Sequence, residues 1–464
     1  MSDTFTDRTL NTFLHNLEKA GVETHAICVW HEGKEVLNRA FFPYDLHTVH
    51  PVWSVTKSFT SLAMGFLQQE DPVDLNSTWI SFFPEYENEA SDTFRRVTLR
   101  NLLTMNLGQD AEAIIHSGDD WIRQNLRKQI VYEPGTKFFY NSNCTYLIGR
   151  LIEKRTGMHL VDYLKPRLFE PLGITDYYWD RDEERHCLGG YGLHLKTEDL
   201  AKVGECILEH GKWNGKQVIP EEWLKEATRM QVQNETEYPL ERSENRQGYG
   251  YCFWGCTRNA FRMSGLHGQL CYIRPDMNLV IAMSNATTGS QILLNCLNAA
   301  FDHPQDVPER DNEIALPQGK KDSPCLQDIL GTHPAGKNPA GIRSITISRN
   351  ENALAFAIDR EGKAFTFSAV YGKWLEQENL FHGYSEGIWS DIMVSGDAEK
   401  RIWPAYAGYA FELPDVLHVE ARERNEAAKH HFIFHIDKDY MSLDYTAEAL
   451  LTYFPSYHVE FSLK

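Results

Sequence analysis

The sequence predicts a chain in two parts, an α/β or α+β unit followed by an all-β unit. Three observations carry this expectation. Two strand-like segments lead the chain, a long helical stretch follows, and strand character returns near Tyr249 before a closing helix. After Phe301 the texture changes to a run rich in Pro, Asp, Gln and Lys, and beyond it come short alternating segments without helical signals of comparable length. The 464 residues exceed what one ordinary core holds, and 42% hydrophobic with 12% aromatic residues supply material for more than one.

Taken in order, Arg8–Ala20 sets Leu10, Phe13, Leu14 and Leu17 at helical spacing. Ala26–Trp30 and Glu35–Phe42 read as strands around a turn at Glu32, Gly33 and Lys34. A helix opens near Ser54 and runs through Phe59, Leu62, Ala63, Phe66 and Leu67. Another follows Thr98 and contains Leu99, Leu102, Leu103 and Met105. Asn141–Thr156 is a third, stopped by Gly157, where a left-handed cap favours glycine. Leu200–Glu209 and Glu221–Met230 are further helices, the latter placed after Pro220. Tyr249–Trp254, Gln269–Arg274 and Leu279–Ser284 read as strands, and Gln291–Phe301 as the closing helix. A sheet built from both ends of this unit follows from that order.

Asp302–Pro324 has linker composition. Beyond it Ile342–Ser348, Ala353–Ile358, Ala364–Val370, Gly387–Val394, Tyr406–Leu413, Val416–Ala421, His431–Ile436 and His458–Phe461 alternate as strands, which predicts an antiparallel barrel or sandwich. The expected division is residues 1–304, a linker over 305–324, and residues 325–464.

Charge and cysteines narrow the function. Lys and Arg number 46 against 65 Asp and Glu, a formal charge of −19, which disfavours nucleic acid as a partner because phosphate binding draws on clustered cations. Nine cysteines lack regular spacing, and several, such as Cys28 and Cys271, sit inside apolar runs, as reduced and buried thiols do. No signal-peptide pattern opens the sequence and no apolar run approaches the ~18–20 residues of a membrane helix. A cytoplasmic protein without membrane attachment is expected.

The sharpest local signal is Ser54-Val55-Thr56-Lys57. Residues three apart share a helix face, so the two side chains point the same way. A serine at a helix N-terminus sits in the positive end of the dipole, and a partly desolvated lysine beside it can act as its base. The plainer reading makes Ser54 an N-cap and Lys57 a solvated side chain. His430, His431 and His435 have spacing that would suit a metal on a helix, but their segment alternates like a strand, so no metal or other cofactor is expected. Cys252 and Cys256 lack a second ligand pair and read as buried thiols. The charge run Glu420–Lys429 reads as a solvated turn. Zinc-peptidase, phosphate-loop, dinucleotide-binding and nucleophile-elbow motifs are absent.

Two further stretches join Ser54 and Lys57 in order. Glu133-Pro134-Gly135-Thr136 leads to Tyr140-Asn141-Ser142, and Met263-Ser264-Gly265 opens a glycine-rich turn through Leu266, His267 and Gly268 into a strand. With Gly211–Pro220, these resemble the serine β-lactamase and penicillin-binding-protein-like superfamily over roughly residues 20–300, above all its esterase, class C β-lactamase-like and 6-aminohexanoate-dimer-hydrolase-like branches. The resemblance implies a β-lactamase-like sandwich: an antiparallel sheet with helices on one face, a helical lobe beside it, and the active site between. It implies an all-β appendage of barrel type, lipocalin-like in form, bordering the active-site mouth or serving a homodimer.

It also implies roles. Ser54 is the acylated nucleophile, Lys57 its base, and Tyr140 the phenol that relays a proton to the leaving group. The oxyanion hole uses the backbone N–H of Ser54 and, where Met263-Ser264-Gly265 replaces the Lys-Thr-Gly element, that of Leu266. Gly265 permits the close approach, Ser142 stands for an asparagine that supports Lys57 or a substrate amide, and His267 is a substrate donor or a turn residue. Met263, standing where penicillin-recognising members carry lysine, argues for an ester or amide of less charged, small-molecule type. The other readings are a DD-peptidase or β-lactamase, and a catalytically weak binding or regulatory protein on the same fold.

Overall fold

The computed structural model describes residues 4–113, 120–361, 363–378, 404–423, 429–448 and 456–463. The expected strand Gly387–Val394 lies outside them, as do residues 424–428 of the charge run Glu420–Lys429, whose first residues continue a strand.

Strands β1 (Glu23–His31) and β2 (Lys34–Ala40) open the chain. Short pairs follow: β3 (His50–Pro51), β4 (Tyr177–Trp179) and β5 (Leu193–Leu195) form one small sheet, and β6 (Lys212–Trp213) with β7 (Lys216–Gln217) another. Then come β8 (Trp254–Gly255), β9 (Phe261–Ser264), β10 (Leu270–Arg274) and β11 (Leu279–Ala286), and the six-stranded sheet has the order β2-β1-β11-β10-β9-β8. The first strands of the chain therefore pair with the last of this unit, Ile27 facing Met283 and Val29 facing Ile281.

Helices α1 (Asp7–Lys19), α2 (Thr56–Glu70), α3 (Leu99–Leu103), α4 (Trp121–Arg127), α5 (Ser142–Thr156), α6 (Leu160–Leu164), α7 (Thr197–Leu208), α8 (Glu221–Thr228) and α9 (Ser290–Asp302) surround it. Their ends follow from side chains. Thr98 and Asn101 form a reciprocal capping box at α3, Asn141 accepts the N–H of Asn143 at α5, and Gly157 closes α5 at φ 69°.

Helices cover both faces of the sheet, not one. Helices α1 and α9 pack against each other over Ile27, Val29, Ile281 and Met283, while α7 packs on the opposite side against Cys28, Val280 and Ala282. Strand β11 is accordingly buried along its whole length, because alternation has no solvent face to use. The expected strand Tyr249–Trp254 is mostly a turn. Gly250 N–H donates to Phe253 O at 2.8 Å, Cys252 sits at φ 64°, and only Trp254–Gly255 pairs as a strand. The aromatic run that suggested a strand instead fills the core beneath α2 and α8.

Beyond Pro324 the chain forms a ten-stranded sheet: β12 (Gly331–Pro334), β13 (Ile342–Asn350), β14 (Ala353–Arg360), β15 (Lys363–Tyr371), β16 (Leu375–Glu378), β17 (Pro404–Leu413), β18 (Val416–Glu423), β19 (Lys429–Ile436), β20 (Tyr440–Glu448) and β21 (Tyr457–Ser462). Neighbours run antiparallel except β15 and β17. The ends meet where Ala335 bridges Phe461 and Gly336 N–H donates to Glu460 O at 2.9 Å, so the sheet curls into a nearly closed barrel. Period-two burial fills it with Leu354, Phe356, Phe367, Phe432 and Phe434.

Residues 303–319 form no helix or strand but are tied at both ends: Ile314 N–H donates to Phe42 O at 2.7 Å, and Lys320 N–H to Phe411 O at 2.9 Å. The outer face of β17 and β18 leans on the first sheet, with Trp374 and Tyr406 in the same apolar cluster as Phe41 and Tyr44. There Arg422 forks onto Glu23, Nε to Oε1 at 3.0 Å and the terminal nitrogen to Oε2 at 2.7 Å, both side chains buried. Burial pushes the Glu23 carboxyl up, but Arg422 and His25 outweigh it and hold it well below the usual carboxylate range. Deleting one member of such a pair strands the other charge, so Glu23→Ala and Arg422→Ala should each cost about 3–5 kcal/mol. The double variant should cost far less than the sum, as read from urea or thermal midpoints; additive losses would show that the pair is not coupled.

Candidate active site

The backbone arrives at Ser54 under constraint. Strand β3 pairs with β5, Val52 N–H donates to Leu193 O at 2.9 Å, and Leu193 N–H donates to Thr56 Oγ1 at 3.2 Å. Trp53 takes φ 49°, a left-handed conformation that costs a non-glycine residue about 1–3 kcal/mol and is held only by its surroundings. Ser54 lies in the tight turn Trp53–Val55 that feeds α2, at the positive end of that helix.

One turn on, Lys57 is 1% exposed, on a helix buried from Thr56 to Leu67. Its ammonium donates to Ser54 Oγ at 2.9 Å, Ser142 Oγ at 3.1 Å and Gly190 O at 2.8 Å. Three acceptors match the three hydrogens of an ammonium. Burial nonetheless pushes the Lys57 amine down to about 8, with the Glu112 carboxylate pulling the other way. The amine lies 4.8 Å from the Tyr140 ring centre, and Ser54 stands beside the Tyr140 phenol. Burial pushes that phenol well above its ordinary range, so Tyr140 stays protonated.

The third motif closes the group. Gly265 sits where a Cβ would lie 2.3 Å from the Val52 carbonyl oxygen and 3.2 Å from Trp53 Cβ, so only glycine lets the Ser264–Leu266 backbone reach the turn carrying Ser54. Leu266 is the next residue along, half-buried. His267 is buried with φ 59°, its ring edge-on to Trp53 at 5.2 Å. His267 thus stands at a left-handed turn position against Trp53, the residue before Ser54. Met263 pairs with Cys271 and is wholly buried in the core, so no cation stands at this place.

Two contributors escaped the sequence reading. Gly190 supplies the carbonyl that holds Lys57, and a Cβ there would lie 2.7 Å from Ser142 O. The cluster Gly189-Gly190-Tyr191-Gly192 was the available signal of close backbone approach. Glu112 accepts the Ser142 N–H at the start of α5, on a loop also latched by Asn141 to Gln109 at 2.9 Å and Asn143 to Ala113 O at 3.3 Å. Nothing in spacing marks it, since it reaches α5 only through the fold. All nine cysteines are free and all but Cys325 are buried; Cys252, pushed up to about 12 by burial, is a neutral thiol near Lys57. Among the described residues no helix is long and apolar enough to cross a membrane. Overpacking at Gly190 should be felt at once: Gly190→Ala is expected to cost about 1–3 kcal/mol in a urea titration, and an unchanged midpoint would show that the loop does not press on α5.

Comparison with known proteins agrees with this architecture. The chain is 25% identical over 209 residues to Protein flp of Staphylococcus aureus (strain MRSA252), a match covering 40% of this chain and 41% of that one. The chain thus spans about two fifths of the length of the curated relatives it matches first. Among solved structures it resembles a Bacillus anthracis protein assigned as a 6-aminohexanoate-dimer hydrolase, with 22% identity, TM-score 0.51, and coverage of 62% of this chain and 80% of that one. It also resembles a family VIII carboxylesterase, with 16% identity, TM-score 0.51, and coverage of 65% and 99%. The family model described as Beta-lactamase matches residues 10–294, more than half the sequence, and the chain belongs to that family, whose fold serves serine hydrolases.

Proposed function

We propose that the protein is a serine hydrolase that cleaves a small ester or amide through an acyl-enzyme on Ser54. The observation that carries this reading is the buried Lys57 amine, 2.9 Å from Ser54 Oγ and lowered to about 8. A carbonyl and a second hydroxyl can keep two N–H bonds when Lys57 loses its proton. Its lone pair then turns to the Ser54 hydroxyl and takes that proton as Ser54 attacks the substrate carbonyl. The oxyanion is received by the N–H groups of Ser54 and Leu266, and Tyr140, a neutral phenol beside Ser54, passes its proton to the leaving group while taking the one that Lys57 removed from Ser54. Water then hydrolyses the acyl group by the reverse relay.

Met263 buried in place of a cation, with Glu112 facing Lys57 from the opposite loop, supports substrates without a carboxylate at that end. Residues 1–304 form the catalytic unit in this reading, 305–324 the connector and 325–464 the appended barrel. The free thiols favour a reducing compartment such as the cytoplasm.

Ser54→Ala should lower turnover of p-nitrophenyl butyrate by about a thousandfold or more in a chain that still folds, as read from its circular dichroism spectrum. Serine-dependent turnover that is faster on a chromogenic cephalosporin than on esters would favour the β-lactamase reading. None on esters, cephalosporin or D-amino-acid amides would leave a binding protein. The sign of the pH response follows from Lys57: the base is the neutral amine, so kcat/KM should climb about tenfold per pH unit below pH ~8 and level off above it. A rate that falls as pH rises from ~6 to ~8 would remove Lys57 as the base.

A further inference from the structure

The residues that looked most like a metal motif in sequence are separated by the fold, and a different set converges. Alternation along β18 puts Leu417, Val419 and Ala421 in the barrel core and turns His418, Glu420 and Arg422 to the outer face. Register then sets His431 of β19 opposite Glu420, on that same outer face, while its neighbour His430 points inward to the Tyr445 hydroxyl at 2.9 Å. His435 lies further along, half-exposed, against Asp444 at 3.2 Å.

His418 Nε2 and His431 Nδ1 are 2.9 Å apart, and Glu420 Oε1 stands 3.7 Å from each. Ligands about 2.0–2.1 Å from a tetrahedral ion lie about 3.3–3.4 Å from one another, so this triangle brackets the edge of such a site. The outer contacts aim the donor atoms. Glu412, at the bulge of β17, accepts the Nδ1–H of His418 at 2.6 Å, which turns Nε2 toward the triangle. Arg422 holds Glu420 Oε2 at 3.0 Å and leaves Oε1 turned toward the two imidazoles. Both histidines are buried, and Glu420 is nearly so.

We propose that His418, Glu420 and His431 form a two-histidine, one-carboxylate site for a divalent transition ion of the zinc type. Imidazole nitrogen with one carboxylate oxygen is a donor set for such ions rather than for Mg2+ or Ca2+. The ion clamps β18 to β19 on the face where Arg422 meets Glu23, and a water completes its shell. A second group, Glu153 with His159 and His186, is weaker as a site. Glu153 Oε1 already accepts the N–H of Leu160 at 3.1 Å and of Cys187 at 3.2 Å, which fastens two loops.

The test uses the full, tag-free chain stripped with EDTA and titrated with Zn2+ and Co2+. One equivalent of Co2+ should bind with visible bands of a nitrogen and oxygen shell, and Zn2+ should displace it and raise the melting temperature. His418→Ala and His431→Ala should abolish uptake, Glu412→Gln should weaken it about 10–100-fold, and Ser54→Ala and His186→Ala should leave it unchanged. Glu420→Gln, nearly isosteric, should also lose binding and keeps the test decisive if a histidine variant folds poorly. Absence of saturable uptake at micromolar Zn2+, retained uptake in Glu420→Gln and His418→Ala, loss in His186→Ala instead, or thiolate charge-transfer bands would each overturn the proposal.

Discussion

An amine buried in a protein core is costly unless every proton has an acceptor, and the arrangement around Lys57 is organised by that requirement. Its three acceptors come from the turn before α2, the first residue of α5, and the Gly189–Gly190 loop that precedes β5. Each of these is anchored in turn: Val52 N–H meets Leu193 O at 2.9 Å before α2, Thr60 holds the Gly189 carbonyl at 2.7 Å, and Gln109 holds Asn141 at the cap of α5. Distant loops are thereby committed to one geometry around Ser54. The same burial that demands these partners also lowers the amine into the range where it exchanges protons near neutral pH.

The second set of buried charges lies where the two large sheets meet. Glu23 begins β1, Arg422 ends the outer face of β18, and the fork between them is closed off by Trp374, whose ring lies 4.5 Å from the guanidinium. Glu420 extends this network to His418 and His431, so the strip joining the barrel to the first unit is polar, flanked by apolar packing from Phe42 and Tyr406. Interfaces held this way depend on geometry more than on area, because a misplaced charge leaves its partner desolvated.

Much of the fold was legible where the cause is local. Helices α1, α2, α5 and α9 and strands β1, β10 and β11 declare themselves by periodicity and caps, and Gly157 ends α5 as its lack of a Cβ allows. Strand β20 was overlooked although Tyr440–Glu448 alternates Met441, Leu443, Tyr445 and Ala447 into the core with Ser442, Asp444 and Thr446 between them, and Tyr249–Trp254 misled because a core-filling aromatic run has the composition of a strand. At the site, Ser54, Lys57, Tyr140 and Gly265 lie near one another although their motifs are far apart in the chain. Gly190 and Glu112 do not belong to any motif, since one contributes only a carbonyl and the other acts through a loop contact.

By itself the sequence determined which chemistry is on offer: a serine and lysine on one helix face, a glycine that admits the third motif, two units of different texture, and thiols suited to burial. Those properties depend on neighbours within a few residues, where periodicity and backbone freedom act directly. The tertiary structure alone decided how far Lys57 is desolvated, which carbonyl receives it, and that helices cover both faces of the first sheet. It also decided that His431 faces His418 and Glu420 while His430 faces the barrel core. A strand turns successive side chains to opposite sides, and which partner stands across is set by register with a strand elsewhere in the chain, so no spacing along the sequence carries that information.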